Sequence, residues 1–166
     1  NFPDFHKYLK KGDMIYANDS IYTLEVLGAD SEKISLLSHS DGELKSNKGM
    51  HVRGVNKHLP FLFQRDRELI DAAIQEGAAY ISLSYVRNAS DVREALKILD
   101  DAGARIEVSA KIETASAVER LDEIFGVIKT ANVDRGDLST DIGMLALAKA
   151  QEKIVAAAKK NGVRLF

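Results

Sequence analysis

Residues 105–113 read RIEVSAKIE, a short run in which apolar and polar side chains alternate as they do in a β-strand. A stretch with helical periodicity precedes it at residues 90–103 (SDVREALKILDDAG), and another follows at residues 115–126 (ASAVERLDEIFG). A strand that lies between two helices predicts a βα repeat, in which neighbouring strands form a parallel sheet.

The same alternation continues outward from this repeat. We predict three more strands, with sequences AYISLSYV, VIKTANV and VRLF, and two more helices, RDRELIDAAIQEG and MLALAKAQEKIVAAAKKNG. Residues 61–63, which follow Pro60, are interpreted as the core of a first barrel strand. Because a closed (β/α)8 barrel takes about 250 residues, we predict that residues 51–166 form a partial TIM-type α/β barrel.

The first 50 residues have a different pattern. Strand-length runs rich in β-forming residues stand between turn residues, in the order MIYAND, SIYTLEVLG, KISLLSHS and GELKS. Asp41-Gly42 lies between the last two runs and is a hairpin signal. The sequence therefore predicts a small antiparallel β lobe at residues 1–50.

The amino-acid composition excludes several kinds of functional site and partner. The 166 residues include no cysteine, which excludes disulfides, a thiol nucleophile and Cys-ligated zinc. The formal net charge is -2, without the basic excess that nucleic-acid or membrane-surface binding requires. No apolar run reaches the roughly 20 residues of a membrane span, and we expect a cytoplasmic protein without nucleic-acid or membrane partners.

The most informative side chains end the central strand. Lys111 and Glu113 are two residues apart, so on a strand they point to the same face. Opposite charges at a strand end are poorly explained as core. They suit the carboxyl-terminal mouth of a barrel, where barrel enzymes have their active sites.

A second polar stretch, residues 134–138 (DRGDL), follows the next predicted strand. It would lie beside Glu113, and two carboxylates from adjacent strands are oxygen ligands suited to Mg²⁺ or Mn²⁺. Gly136 would let the backbone approach a ligand, and the amides after it could hold a carboxylate or phosphate. Alone, a Lys-x-Glu strand is usually an exposed ion pair and Arg-Gly-Asp a common surface turn. Their positions after successive strands favour a functional site.

Several motifs together resemble the pyruvate kinase family. The run AKIE at residues 110–113, followed by DEI at 122–124 and RGDL at 135–138, is similar to that family's "SKIEN…DEI…ARGDLG". Residues 84–92 (SYVRNASDV) resemble "SFVRKASDV", residues 11–19 resemble the lid motif "KGDxIYxDDG", and residues 48–51 resemble "KGVN". The order and spacing match over most of residues 11–166.

The resemblance implies a phosphotransferase that moves a phosphoryl group between phosphoenolpyruvate or pyruvate and a nucleotide. In that case Glu113 and Asp137 would bind Mg²⁺ or Mn²⁺, and Lys111 would be the catalytic cation that neutralises the transferred phosphoryl group. The resemblance also implies K⁺ as a further cofactor and a lid role for the β lobe.

The resemblance also implies a set of substrate contacts. The backbone amides of Gly136 and Asp137 would hold the substrate carboxylate, while Ser84 would lie on the neighbouring strand at the same mouth. Arg135 is the remaining predicted substrate-binding residue. We expect a homo-oligomer, because a partial barrel leaves an unpaired sheet edge.

The sequence departs from the family pattern at several positions. Asp134 replaces the expected alanine and adds a third acid near the metal, while Thr114 replaces an asparagine and Ser139 a glycine. Residues 141–143 are Asp-Ile-Gly where Glu-Ile-Pro is expected. The family's first three barrel strands and the strand after residue 166 are outside this sequence, so we do not expect phosphoryl transfer by these residues alone.

Two other functions remain open. A Mg²⁺-dependent lyase or aldolase acting on 2-oxo acids would also use a glutamate and an aspartate at successive strand ends to stabilise a pyruvate enolate. Lys111 favours the kinase, because such lyases generally rely on arginine. A catalytically inactive homologue that acts as a binding protein is the third hypothesis, motivated by Asp134 and by the missing strands.

Overall fold

The computed structural model describes residues 4–18 and 20–166, which belong to two compact units. The first unit ends at Leu59, and the second spans Pro60–Phe166. The strand Met50–Val52 pairs with the first strand of the chain, so it belongs to the first unit. The division into functional domains after residue 50, and the lid role of the lobe, remain predictions.

The first unit contains an antiparallel four-stranded sheet. Its strands are β1 (Met14–Ala17), β2 (Tyr22–Ala29), β3 (Ile34–Ser38) and β4 (Met50–Val52), in the spatial order β3-β2-β1-β4. Short 3-10 helices lie at Phe5–Tyr8 and Asn56–His58. The buried core of this unit consists of Ile15, Val26, Val52 and Val55.

The hairpin predicted at Asp41-Gly42 is wrong, and so is the strand at residues 42–46. Residues 39–49 contain no strand and form the connection between β3 and β4. Tyr22 explains the difference, because its hydroxyl donates a hydrogen bond to the Glu43 carbonyl at 2.8 Å. A Cβ on Gly42 would lie 2.8 Å from the Tyr22 ring. The segment is therefore held by a tyrosine side chain instead of a strand ladder.

The second unit has the predicted α/β class. Its parallel sheet has the order β5-β6-β7-β8, formed by Tyr80–Leu83, Glu107–Lys111, Thr130–Asn132 and Arg164–Leu165. Six helices accompany these strands: α1 (Gln64–Gln75), α2 (Ala89–Asp101), α3 (Ala115–Glu119), α4 (Leu121–Phe125), α5 (Arg135–Ile142) and α6 (Met144–Asn161). In residues 4–18 and 20–166, no helix combines the length and the apolar character that a membrane span requires.

The parallel sheet has one apolar and one polar face. Val108, Ala110 and Ala131 are buried in the main core, with side chains of the helices. The register pairs Lys111 with Asn132, so both side chains lie on the opposite face. This alternation places the functional side chains of β6 and β7 away from the helix-packed core.

Two predicted elements differ in the structure. Residues 61–63 form no strand, because the Phe63 amide donates to the Asp66 carboxylate at 2.8 Å and so starts α1. Leu62 is nevertheless buried in the core, as predicted. The predicted helix at residues 115–126 is divided into α3 and α4 at Arg120, whose φ of -121° and ψ of 30° are not helical.

Candidate metal and anion site

The site begins at the carboxyl end of β6. Lys111 is the last residue of that strand, and its Nζ lies 2.9 Å from Oε2 of Glu113. The Glu113 side chain is 0% exposed, and its Oε1 accepts a hydrogen bond from the Tyr85 amide at 2.6 Å. The buried carboxylate is therefore held by a backbone donor from the segment after β5 and by the lysine that ends β6.

The loop after Glu113 is fixed by two buried polar residues. The Thr114 hydroxyl donates to the Val86 carbonyl at 2.8 Å and accepts from the Ala117 amide at 3.0 Å, which caps α3. Asp141 accepts a hydrogen bond from the Ala115 amide at 2.6 Å. Both residues are departures from the family pattern that the sequence left without a role, and in the structure they restrain the backbone that carries Glu113.

The second half of the site follows β7. Asp134 is the N-cap of α5: its Oδ1 accepts from the Asp137 amide at 3.3 Å, while its Oδ2 lies 2.9 Å from Lys111 Nζ. The Asp137 carboxylate accepts a hydrogen bond from the Tyr85 hydroxyl at 2.9 Å. We call Lys111, Glu113, Asp134 and Asp137 the Lys111 cluster.

The donor set of this cluster fits a hard divalent cation. One carboxylate oxygen from each of Glu113, Asp134 and Asp137 lies within 4.8 Å of the others. Within residues 4–18 and 20–166, Glu113 Oε2 has no partner in hydrogen-bond geometry, although Lys111 is near it as an ion pair. Three neighbouring carboxylates with one ammonium group, and a buried oxygen that can still act as a ligand, are chemically suited to Mg²⁺ or Mn²⁺.

The environment shifts the acid–base behaviour of the cluster. Burial raises the pKa of Glu113, and its ion pair with Lys111 and the hydrogen bond from the Tyr85 amide oppose that effect. For Lys111, burial lowers the pKa, but the ion pairs with Asp134 and Glu113 outweigh it, so the pKa is raised. The Lys111 hydrogen bond lowers the pKa of Asp134 despite partial burial. Lys111 and Asp134 therefore keep their charges around neutral pH.

Tyr85 is a site residue to which sequence reasoning gave no role. Its backbone φ is +54°, a left-handed conformation that is uncommon for a residue with a side chain. This conformation lets one residue contact both acids, the amide bonding Glu113 and the hydroxyl bonding Asp137. Burial, followed by the Asp137 charge, raises the pKa of the phenol above its usual value. The sequence contains no turn signal that would predict this backbone conformation.

The remaining predicted site residues differ in whether they contact the cluster. Ser84 Oγ accepts a hydrogen bond from Lys111 Nζ at 3.5 Å, the outer limit for such a contact. Arg135 is exposed at the first position of α5, and no hydrogen bond or ion pair among residues 4–18 and 20–166 joins it to the cluster. A Cβ on Gly136 would meet Asp134 Oδ1 at 3.5 Å, which is an ordinary contact.

Comparison with known proteins assigns the chain to a family. Residues 1–165 match the family model described as pyruvate kinase, barrel domain. Among curated proteins, the chain is 30% identical to pyruvate kinase 2 of Candida glabrata over 98% of this chain and 32% of that protein. It is 33% identical to pyruvate kinase of Sporosarcina psychrophila over 93% of this chain and 27% of that protein. The chain thus spans about a third of the length of these curated relatives.

Proposed function

Because the chain belongs to the pyruvate kinase family, we propose that it carries the cation- and anion-binding part of a Mg²⁺-dependent phosphotransferase. The substrates would be phosphoenolpyruvate or pyruvate and a nucleotide. The observation that carries the proposal is the Lys111 cluster, in which a lysine lies between two carboxylates and a third completes a set of oxygens within 4.8 Å.

Each side chain of the cluster has a role in this proposal. Glu113 and Asp137 would hold Mg²⁺ or Mn²⁺, with Asp134 as an additional acid on the same side. A bound divalent cation would supply positive charge against a developing enolate or phosphoryl oxygen. Lys111 would contribute its ammonium group to the same anion, because its raised pKa keeps it protonated.

Substrate orientation is assigned to groups around the cluster. The amides of Gly136 and Asp137, at the amino end of α5, would interact favourably with a negatively charged group of the substrate. Ser84 is within reach of Lys111, and Arg135 is an exposed cation at the same helix end. The nucleotide, K⁺, homo-oligomeric assembly and a cytoplasmic location remain predictions, because the chain spans only about a third of its relatives.

The first test measures Mn²⁺ binding to the purified chain by electron paramagnetic resonance. We expect saturable binding that the double variant Glu113→Gln, Asp137→Asn weakens at least about 100-fold, because two of three oxygen ligands are neutralised. The matched control neutralises two exposed acids, Glu119→Gln with Asp122→Asn, and should bind as the original chain does. A folded chain that binds no Mn²⁺, or a double variant that binds unchanged, contradicts the proposal.

A second assay addresses the reaction itself. The gene product that carries this sequence would be supplied with phosphoenolpyruvate, a nucleoside diphosphate and Mg²⁺, and pyruvate would be measured with and without Lys111→Met. Pyruvate formation that Lys111→Met abolishes supports the kinase. Cleavage of a 2-oxo acid without nucleotide would favour the lyase, and the absence of both reactions would favour the inactive homologue.

A further inference from the structure

The carboxylate of Asp134 uses both of its oxygens inside the site. One oxygen lies 2.9 Å from Lys111 Nζ, and the other accepts from the Asp137 amide at 3.3 Å. A single side chain therefore occupies an ammonium group and a backbone donor at once.

These two donors would otherwise form a binding site for an anion. An ammonium group and the first free amides of an eight-residue helix both attract negative charge, and here they converge on one small volume. Asp134 fills that volume with the chemical group, a carboxylate, that a small organic acid would present. Its side chain is 33% exposed, so it is accessible to solvent and has space to turn outward.

We infer that Asp134 is a specificity-determining residue that occupies, with its own carboxylate, the anion subsite formed by Lys111 and the amino end of α5. This inference rests on the proposed function, since it concerns how that site receives a small carboxylate or phosphate ligand. A ligand of this class binds weakly while Asp134 is in place, and it must displace the side chain to reach the two donors.

The alternative cause of weak anion binding is simple repulsion by the Asp134 charge. The two explanations separate in Asp134→Asn, because asparagine keeps one carbonyl oxygen for the helix cap and still fills part of the subsite, but it carries no charge. Occupation predicts that this variant binds anions more weakly than Asp134→Ala, because its side chain remains in the subsite. Repulsion predicts that it binds as strongly as Asp134→Ala, in which the subsite is both empty and uncharged.

The experiment is a titration with oxalate in the presence of a chelator, followed through the ¹H–¹⁵N signals of Gly136 and Asp137. Without metal, the result does not depend on cation binding by Glu113 and Asp137. We expect at least about tenfold tighter binding by Asp134→Ala than by the original chain, with shifts at both amides. Asp134→Asn should bind oxalate with an affinity between those of the original chain and Asp134→Ala.

Two further variants keep the test decisive. Asp134→Ser retains a capping hydroxyl for α5 but is too short to reach Lys111, so it should gain affinity even if Asp134→Ala does not fold. Asn88→Ala removes the cap of α2 and should not change oxalate binding, which controls for the loss of a cap.

Several outcomes would overturn the inference. These are equal oxalate affinity in the original chain and Asp134→Ala, a gain in Asp134→Asn as large as in Asp134→Ala, and no amide shift in any folded variant. Failure of the proposed function is a separate result, namely the absence of Mn²⁺ binding in the experiment without oxalate.

Discussion

Two groups of charged side chains in the second unit differ in how their charges are balanced. Arg87 and Asp91 form a closed pair: Asp91 accepts from the Arg87 amide at 2.9 Å, from Nε at 2.8 Å and from Nη2 at 2.8 Å. Their side chains are 12% and 7% exposed. The Lys111 cluster contains three carboxylates close to one another and one ammonium group, which pairs with two of them.

This difference in charge balance indicates that Arg87 and Asp91 have a structural role, whereas the Lys111 cluster is a binding site. A buried pair with every charge matched adds nothing that attracts a ligand, but it leaves an uncompensated charge if one partner is removed. A cluster with excess negative charge costs stability when it is empty and gains stability when a cation binds. We therefore expect substitutions in the first group to change folding and substitutions in the second to change binding.

The largest expected effect is on the closed pair. Asp91→Ala leaves the Arg87 guanidinium buried without its carboxylate, and we expect a loss of about 3 kcal/mol in the free energy of unfolding. The measurement is urea denaturation followed by circular dichroism. Asp101→Ala breaks the exposed Lys97–Asp101 pair, which has the same i,i+4 spacing and lies on α2, the helix that also carries Asp91, and this substitution should change little. Equal changes in the free energy of unfolding for the two substitutions would contradict the prediction, because the closed pair would then behave like a surface pair.

The second prediction concerns Glu113→Gln. Burial raises the pKa of Glu113, so the ionised form is disfavoured in the folded chain and stability falls as pH rises through this carboxyl's titration. Neutralisation should therefore raise the free energy of unfolding by about 1 kcal/mol at neutral pH, since Lys111 keeps Asp134 as its partner. The slope of stability against pH should flatten in the same window.

The control for this prediction is Glu107→Gln. Glu107 begins β6 on the same face as Lys111, which ends it, and Glu107 is 3.8 Å from Arg164. This substitution should leave divalent cation binding unchanged. A loss of stability in Glu113→Gln as large as that in Asp91→Ala would contradict the comparison, because the cluster would then be a structural pair as well.

How much of this arrangement the sequence could predict depends on the physical scale involved. The strand period of two placed Lys111 and Glu113 on one face, and the βα order placed residues 134–137 beside them. The partner of Asp134 was not predictable, since its contact with Lys111 depends on a side-chain conformation. The positive φ of Tyr85 depends on tertiary contacts with Glu113 and Asp137, which no local pattern encodes.

The same limit explains the errors in secondary structure. Asp41-Gly42 has the local signal for a hairpin, but the Tyr22 hydroxyl, from a distant strand, binds the following carbonyl. The apolar residues 61–63 have the local signal for a strand, but Asp66 binds the Phe63 amide and begins a helix there. Long periodic elements such as α6 were predictable because their burial pattern repeats over many turns.

A smaller effect is expected at Tyr85. Tyr85→Phe removes the hydroxyl that donates to Asp137 at 2.9 Å but keeps the amide bond to Glu113. We expect Mn²⁺ affinity to change by less than about tenfold, since the carboxylate is retained and only its orientation is loosened. Isothermal titration with Mn²⁺ measures this change, with Tyr80→Phe as the exposed control on β5. A complete loss of Mn²⁺ binding would mean that the tyrosine, and not the charge excess, organises the cluster.

The smallest effect is expected at an exposed contact that belongs to neither of the two groups. Lys160 donates to Asp122 at 2.7 Å, and Asn161 donates to it at 2.8 Å. The Lys160 hydrogen bond, with that of Asn161, lowers the pKa of Asp122. The pair therefore stabilises the fold above the unfolded-state pKa, and this contribution is lost as pH falls through the folded-state value. Lys160→Met should raise the pKa of Asp122 towards its usual range, as measured by carboxyl ¹³C titration, whereas an unchanged pKa would show that Asn161 alone sets it.

The most direct test measures Mn²⁺ affinity and urea stability in the same preparations of the original chain, Glu113→Gln and Asp91→Asn. The charge-excess account predicts that Glu113→Gln loses most of its Mn²⁺ affinity while remaining at least as stable as the original chain. It predicts that Asp91→Asn is less stable but, where folded, binds Mn²⁺ with unchanged affinity. Mn²⁺ binding that survives Glu113→Gln, or that falls equally in both variants, would contradict the account.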